Sequence, residues 1–167
     1  DLSRGFKNKG DAHSFFVDCT QAQFLVDKVT KVKVKKSPPP PFITSSLQQE
    51  ASRRLGYSVK KTMRLAQRLY ETGKITYMRT DSVHLSDFAL QEAKKVICSK
   101  YGPEYSKTRQ YKTKTAGAQE AHEAIRPTDF ALLKAGDTNQ EQRLYNLIWH
   151  RAMASQMSNA LFEKTTL

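Results

Sequence analysis

Residues 38–41 are four consecutive prolines, and no other stretch of this 167-residue chain restricts its fold as strongly. Each proline fixes φ at about −65° and removes a backbone donor, so the run excludes helix and central strand and favours a stiff, extended connector. A boundary therefore falls at 37–42, with a strand-and-helix piece at 1–36 before it. After it comes a longer, helix-rich region at 43–158, then a strand at 159–167 returning toward the first piece. In the first piece, residues 13–18 read as a short strand, and residues 20–29 place Ala22, Leu25, Val26 and Val29 at helical spacing. Residues 29–36 alternate apolar and basic side chains, which predicts a half-buried strand with its lysines toward solvent.

Beyond the prolines, start and stop signals mark one helix after another. Ser45 with Gln48 forms a capping box, Leu47, Ala51 and Leu55 line one face, and Gly56 stops the helix. Ser58 caps the next, with Val59, Met63, Ala66, Leu69 and Tyr70 as its apolar stripe and Lys60, Lys61, Arg64 and Arg68 on the other side. The tight link makes the two a helix-turn-helix-like pair, whose basic face is either simply solvated or a track for a DNA backbone. Ser86 caps a third helix with Leu85 and Leu90 as a hydrophobic staple and Ala89, Ala93, Val96 and Ile97 inward, ended by Gly102-Pro103. Residues 103–118 interleave Lys107, Arg109, Lys112 and Lys114 with Tyr105 and Tyr111, a composition that fits single-stranded nucleic acid and fits disorder equally. Thr138 with Glu141 opens a last helix that buries Leu144, Leu147, Ile148 and Ala152, with Trp149 in the core.

Charge narrows the partner. Lys and Arg number 28 against 16 Asp and Glu, a net charge of +12, which favours a polyanion. No apolar run approaches the roughly 20 residues that span a bilayer, and no signal peptide opens the chain, so a cytoplasmic protein with no membrane partner is expected. Cys19 and Cys98 stand alone, supporting neither a disulfide framework nor a zinc site. The absence of an initiator Met before Asp1 and the β-favouring end at Thr165-Thr166-Leu167 read as a piece cut from a longer polypeptide.

The chemistry concentrates in residues 75–82, Ile-Thr-Tyr-Met-Arg-Thr-Asp-Ser. A phenol with a pKa near ~10 is a poor nucleophile at neutral pH, but a fixed cation stabilises phenolate and binds phosphate oxygens bidentately. Tyr77 and Arg79 are two apart and share a face in extended chain, and Thr76, Thr80 and Asp81 stand beside them. Taken alone, Tyr77 fits a half-buried tyrosine at a core edge, since a tyrosine beside an arginine is usually structural. Residues 119–127, Gln-Glu-Ala-His-Glu-Ala-Ile-Arg-Pro, form a second constellation: on a helix His122 and Arg126 would share a face with Glu120 and Glu123 flanking the imidazole, while Pro127 biases Arg126 away from helical geometry and makes the end of the segment a turn. Taken alone, His122 fits a hydrogen-bonded structural histidine.

Three segments in order, Pro-Phe-Ile-Thr-Ser-Ser-Leu-Gln-Gln at 41–49 and the two just quoted, resemble the active-site motifs of the type IA DNA topoisomerases, in particular the bacterial topoisomerase I group. The resemblance covers residues from about 38 to the end well and the first 36 loosely. It implies an α+β, mainly α fold: a helical catalytic-tyrosine domain flanked by strands of a neighbouring β-rich domain of a toroid. It also implies a reaction in which Tyr77 attacks DNA to give a 5′-phosphotyrosine and a free 3′ hydroxyl, then reverses without ATP after another strand passes, relaxing negative supercoils. Arg79 would stabilise phosphoryl charge. Asp81, Thr80, His122 and Arg126 would support the site, and Lys60, Lys61, Arg64, Arg68 and Thr76 would bind DNA, single-stranded by preference.

Complete members of the family carry a separate acidic domain that binds Mg²⁺. This chain has no Asp-x-Asp pair and no carboxylate cluster for a hard cation, so no metal is expected here, and the piece alone is expected to be inactive without the remaining domains of its polypeptide. The alternative is a non-enzymatic basic nucleic-acid-binding module of helix-turn-helix type. A tyrosine recombinase fits less well, because there the tyrosine follows the Arg and His set, whereas Tyr77 precedes His122 and Arg126.

Overall fold

A computed structural model of the chain describes residues 5–111 and 122–166. Its described part is α+β and mainly helical, with five α-helices and one two-stranded sheet. Two compact units emerge, one formed by residues 1–34 and 161–167 and the other by residues 35–160.

In the first unit, helix α1 spans Lys9–Gln21, capped by Asn8, whose side chain accepts from the Asp11 amide at 2.9 Å. This corrects the strand expected at 13–18 and the helix expected at 20–29, since residues 22–29 hold no helix. The run Phe15-Phe16-Val17 has strand-like composition, but the Asn8 cap starts a helix upstream of it, and Phe6 packs on both Phe15 and Phe16. Strand β1, Thr30–Lys36, pairs with β2, Ala160–Thr166, and Lys31 meets Glu163 at 3.1 Å. Both strands are exposed throughout, so the half-burial expected from the lysine alternation is absent.

The second unit holds helices α2, Thr44–Leu55, α3, Val59–Glu71, α4, Asp87–Tyr101, and α5, Asn139–Ser155. Local chemistry sets most of their ends. Ser58 and Ser86 accept from the Lys61 and Ala89 amides, and Thr138 and Glu141 form a reciprocal capping box. Gly56, at φ 67°, ends α2 in the left-handed conformation that glycine adopts without a Cβ penalty. Two expectations shift. Helix α2 starts at Thr44 rather than being capped by Ser45, and the hydroxyl that reaches back to Ile43 belongs to Ser46. The buried face of α3 is Thr62, Leu65, Ala66 and Leu69, while Val59 and Tyr70 are exposed. Thr62 can sit inside because its hydroxyl donates to the Ser58 carbonyl at 3.0 Å.

Helices α2, α3 and α5 pack on one another around Leu47, Leu65, Leu69, Leu144, Tyr145 and Ile148. Each fully buried aliphatic side chain contributes about 1.5–3 kcal/mol over its exposed state. Trp149 is buried and donates its indole N–H to the Phe130 carbonyl at 3.0 Å. Antiparallel bridges join Phe42 to Ile125 and Ile75 to Pro127. These pairings draw three distant segments, the ends of the proline run, of α3 and of the His122 stretch, to one place.

Candidate active site

Helix α3 ends at Glu71, and Gly73, at φ 68°, turns the chain into residues 75–82. Ile75 is buried, and from Tyr77 onward the stretch alternates strictly: Tyr77, Arg79 and Asp81 are exposed, whereas Met78, Thr80 and Ser82 are buried. The chemistry-bearing side chains therefore emerge while their neighbours anchor the backbone. Tyr77 is 40% exposed, and its ring meets Tyr70 edge-on, centroids 5.2 Å apart, at the end of α3.

Two threonines hold this stretch. The Thr76 hydroxyl donates to the Ala124 carbonyl at 2.7 Å and accepts from the Arg126 amide at 2.9 Å. The Thr44 hydroxyl, at the first residue of α2, accepts from the Thr80 amide at 2.9 Å and faces the Met78 and Thr80 carbonyls at 2.9 and 3.0 Å. An open cleft of about 680 Å³ results, lined by Ser45 and Gln48 of α2, by Arg79, Thr80 and Asp81, and by His122. The first residues of α2, which Ile43 does not cap with its side chain, line the cleft together with Arg79, so the positive end of the helix dipole and an arginine border the same space. That combination suits an anion such as a phosphodiester.

Residues 122–127 are not helical; they run extended, corrected from the expected shared helical face of His122 and Arg126. Pairing to Phe42 and Ile75 takes backbone groups that a helix would use: the Ile125 amide donates to the Phe42 carbonyl, and the Arg126 carbonyl accepts from the Thr76 amide. His122 is exposed at the cleft, but the Arg126 side chain is only 9% exposed and is bound to Glu123 at 2.6 Å and to the Pro127 carbonyl at 2.9 Å. Glu123 also accepts from the Ser86 amide at 2.6 Å. Burial pushes the Glu123 carboxyl upward, and the donors from Ser86 and Arg126 outweigh it, so the group is held below the usual carboxylate range.

The structure thus brings Arg79, Thr80, Asp81 and His122 to one cleft, with Tyr77 next to it in the chain. Arg126 and Thr76 are engaged in holding the backbone. The α3 cations do not line the cleft: Lys60 and Arg64 are exposed, Lys61 lies over the Tyr57 ring at 4.3 Å, and Arg68 reaches Glu141 at 3.3 Å. In the basic loop, Arg109 is committed to the Met157 and Ser155 carbonyls and to Asn159, and the Tyr111 hydroxyl donates to the Pro38 or Ser155 carbonyl. Lys112, Lys114 and Glu120 lie outside the described residues. Thr44 and Glu123, which hold the site together, carry no spacing signal, because Thr44 acts across 34 to 36 residues and Glu123 across 37. Among the described residues no group of three or more His, Cys, Asp or Glu side chains could hold a metal, so these residues do not by themselves fit the Mg²⁺ that the resemblance implies.

The comparisons with known proteins agree with the motifs. The model of the DNA topoisomerase family matches residues 1–167. The chain is 50% identical over 162 residues to a DNA topoisomerase 1 of Zymomonas mobilis, covering 96% of this chain and 13% of that protein. To the DNA topoisomerase 1 of Rickettsia felis it is 46% identical over 170 residues, covering 93% and 22%. Full-length topoisomerase I from Thermotoga maritima superposes with a TM-score of 0.75 at 36% identity, covering 99% of this chain and 28% of that one. The chain spans between 13% and 28% of the length of these proteins. With the three motifs in order, the fold and these likenesses in agreement, the chain belongs to the DNA topoisomerase family, and it resembles the bacterial topoisomerase I members along nearly all of its length.

Proposed function

We propose that this chain is the tyrosine-bearing part of a type IA topoisomerase, which cuts and reseals one DNA strand to relax negative supercoils. The observation that carries the reading is the alternation at 77–82, which exposes Tyr77, Arg79 and Asp81 beside a cleft at the open end of α2. The Tyr77 oxygen attacks a phosphorus, the bond from phosphorus to the 3′ oxygen breaks, and that oxygen leaves as a hydroxyl, giving a 5′-phosphotyrosine. One phosphodiester replaces another, so resealing needs no ATP. Arg79 and the end of α2 supply positive charge to the phosphoryl oxygens. His122 hydrogen-bonds phosphate from the cleft wall, and Asp81 and Thr80 orient their neighbours. Arg126, tied to Glu123, acts by holding the His122 segment rather than by touching phosphate.

Lys60, Lys61, Arg64 and Arg68 lie along one helix and offer a backbone track for single-stranded DNA, with Lys60 and Arg64 the most available. The Mg²⁺ would be held by carboxylates elsewhere in the polypeptide, so this chain alone is inactive. Its site is completed by the other domains, including a β-rich one that β1 and β2 enter. Among the described residues no helix is long and apolar enough to cross a membrane, and a cytoplasmic location suits the substrate.

The test places the chain within a full-length polypeptide, adds a 3′-labelled single-stranded oligonucleotide with Mg²⁺, and looks for DNA attached to protein by mass spectrometry. Label on Tyr77 that disappears in Tyr77→Phe is expected. Salt-sensitive binding with no adduct would mean that the chain is a binding module and that Tyr77 is packing.

A further inference from the structure

We infer that Thr44 is a positioning residue for Arg79, an assignment that rests on the reading of Tyr77 and Arg79 as the cleaving pair. The Met78 carbonyl and the Thr80 amide belong to the two peptide groups that flank the Arg79 Cα. The Thr44 hydroxyl accepts from the Thr80 amide at 2.9 Å and has the Met78 carbonyl at 2.9 Å as the shorter of its two acceptors, the Thr80 carbonyl standing at 3.0 Å. Gripping the planes on either side of one Cα fixes both soft dihedrals of that residue. The rotamers open to an exposed arginine then start from a single backbone geometry. Thr44 is also the first residue of α2 and sits in the cleft wall, so the same hydroxyl registers Arg79 against the helix end that shares the cleft.

The link survives in part without the side chain. The Thr44 amide donates to the Thr80 carbonyl at 3.0 Å, a backbone bond that any residue at this position keeps. Removing the hydroxyl therefore loosens the planes around Arg79 without detaching α2 from the stretch. Charge aimed at a transferring phosphoryl group is worth most when its position is fixed beforehand, and a displacement of about 1 Å can cost roughly 10²-fold in rate.

The experiment measures single-turnover cleavage of an end-labelled oligonucleotide by full-length enzyme with the Thr44→Val and Thr44→Ser changes, each alone and combined with Arg79→Ala. Oligonucleotide affinity and melting temperature are measured in parallel. Thr44→Val should slow cleavage by about 10²-fold with little change in affinity. Thr44→Ser, which keeps the hydroxyl, should restore most of the rate, and in the Arg79→Ala background Thr44→Val should cost little, because the group it positions is gone. If Thr44→Val melts too low to assay, Thr44→Ala against Thr44→Ser reads the same hydroxyl. Equal losses in both backgrounds, or no loss at all, would overturn the inference. An adduct that persists in Tyr77→Phe would fail in a different place: it would remove Tyr77 as the nucleophile and this role for Thr44 with it.

Discussion

The Glu123–Arg126 pair gives a prediction whose size follows from its geometry. Its two contacts, at 2.6 and 3.2 Å, join a guanidinium that is 9% exposed to a carboxylate that is 25% exposed. Changing Glu123 to Gln leaves Arg126 charged in a site that water barely reaches, and it weakens the acceptor at the Ser86 amide that begins α4. Removing one partner of a buried pair costs about 3–5 kcal/mol, and the remaining exposure of Glu123 brings this to about 2–4 kcal/mol. At roughly 3 °C per kcal/mol for a chain of this size, Glu123→Gln should lower the melting temperature by about 6–12 °C. Adding Arg126→Met should recover much of the loss, since no unpaired charge then remains. Calorimetry of the four proteins in the cycle makes the check. A Glu123→Gln protein melting within about 1 °C of the parent, or a double variant no better than the single, would refute the claim that this pair holds the His122 segment.

Acid should act through the same carboxyl and through Glu141. Burial raises Glu141 as well, but amides of Thr138 and Asp137 and the Arg68 guanidinium outweigh it, so both carboxyls are held below the usual carboxylate range when folded. Depressed folded values contribute stability above the unfolded pKa and lose it as pH falls through the folded pKa. The melting temperature should therefore be flat near neutrality and decline below about pH 4.5, more shallowly in Glu123→Gln. A curve with the same acid slope in both proteins would count against this. On α3, Lys60→Gln and Arg64→Gln should each reduce the dependence of log affinity on log salt by about 0.7 for a single strand, with cleavage per bound complex unchanged. An unaltered slope would remove this face from the DNA track.

What could be read from the sequence was local. Ser58, Ser86, Thr138 and Gly56 announce helix ends through side-chain hydrogen bonds and backbone conformation that involve only a few neighbours, and those ends are where the structure puts them. The motif residues Arg79, Asp81 and His122 were legible by resemblance, and the cleft gathers them. Contacts between distant segments were not legible. The inward turn of the Arg126 side chain is not legible, because nothing in its spacing discloses the pairing of 122–127 with Phe42 and Ile75. Helix α1 was missed because Phe15-Phe16-Val17 has strand-like composition, and the residue that decides the matter, Asn8, lies seven positions before Phe15. Leu65 and Thr62 displaced Val59 and Tyr70 from the α3 core for a similar reason: the neighbours that select the buried face come from α2 and α5.

The alternation at 77–82 also decides which changes in length this stretch can survive. Its backbone is irregular, and irregular surface segments ordinarily absorb insertions and deletions. Here one residue added or lost after Ile75 would exchange the two sets, turning Met78, Thr80 and Ser82 outward and driving a phenol, a guanidinium and a carboxylate into the core. Substitution can be graded position by position, but length cannot. The six residues behave as a ratchet with a two-residue tooth, which any transplant of this segment into another scaffold would have to keep in phase with Thr44 at one side and Thr76 at the other.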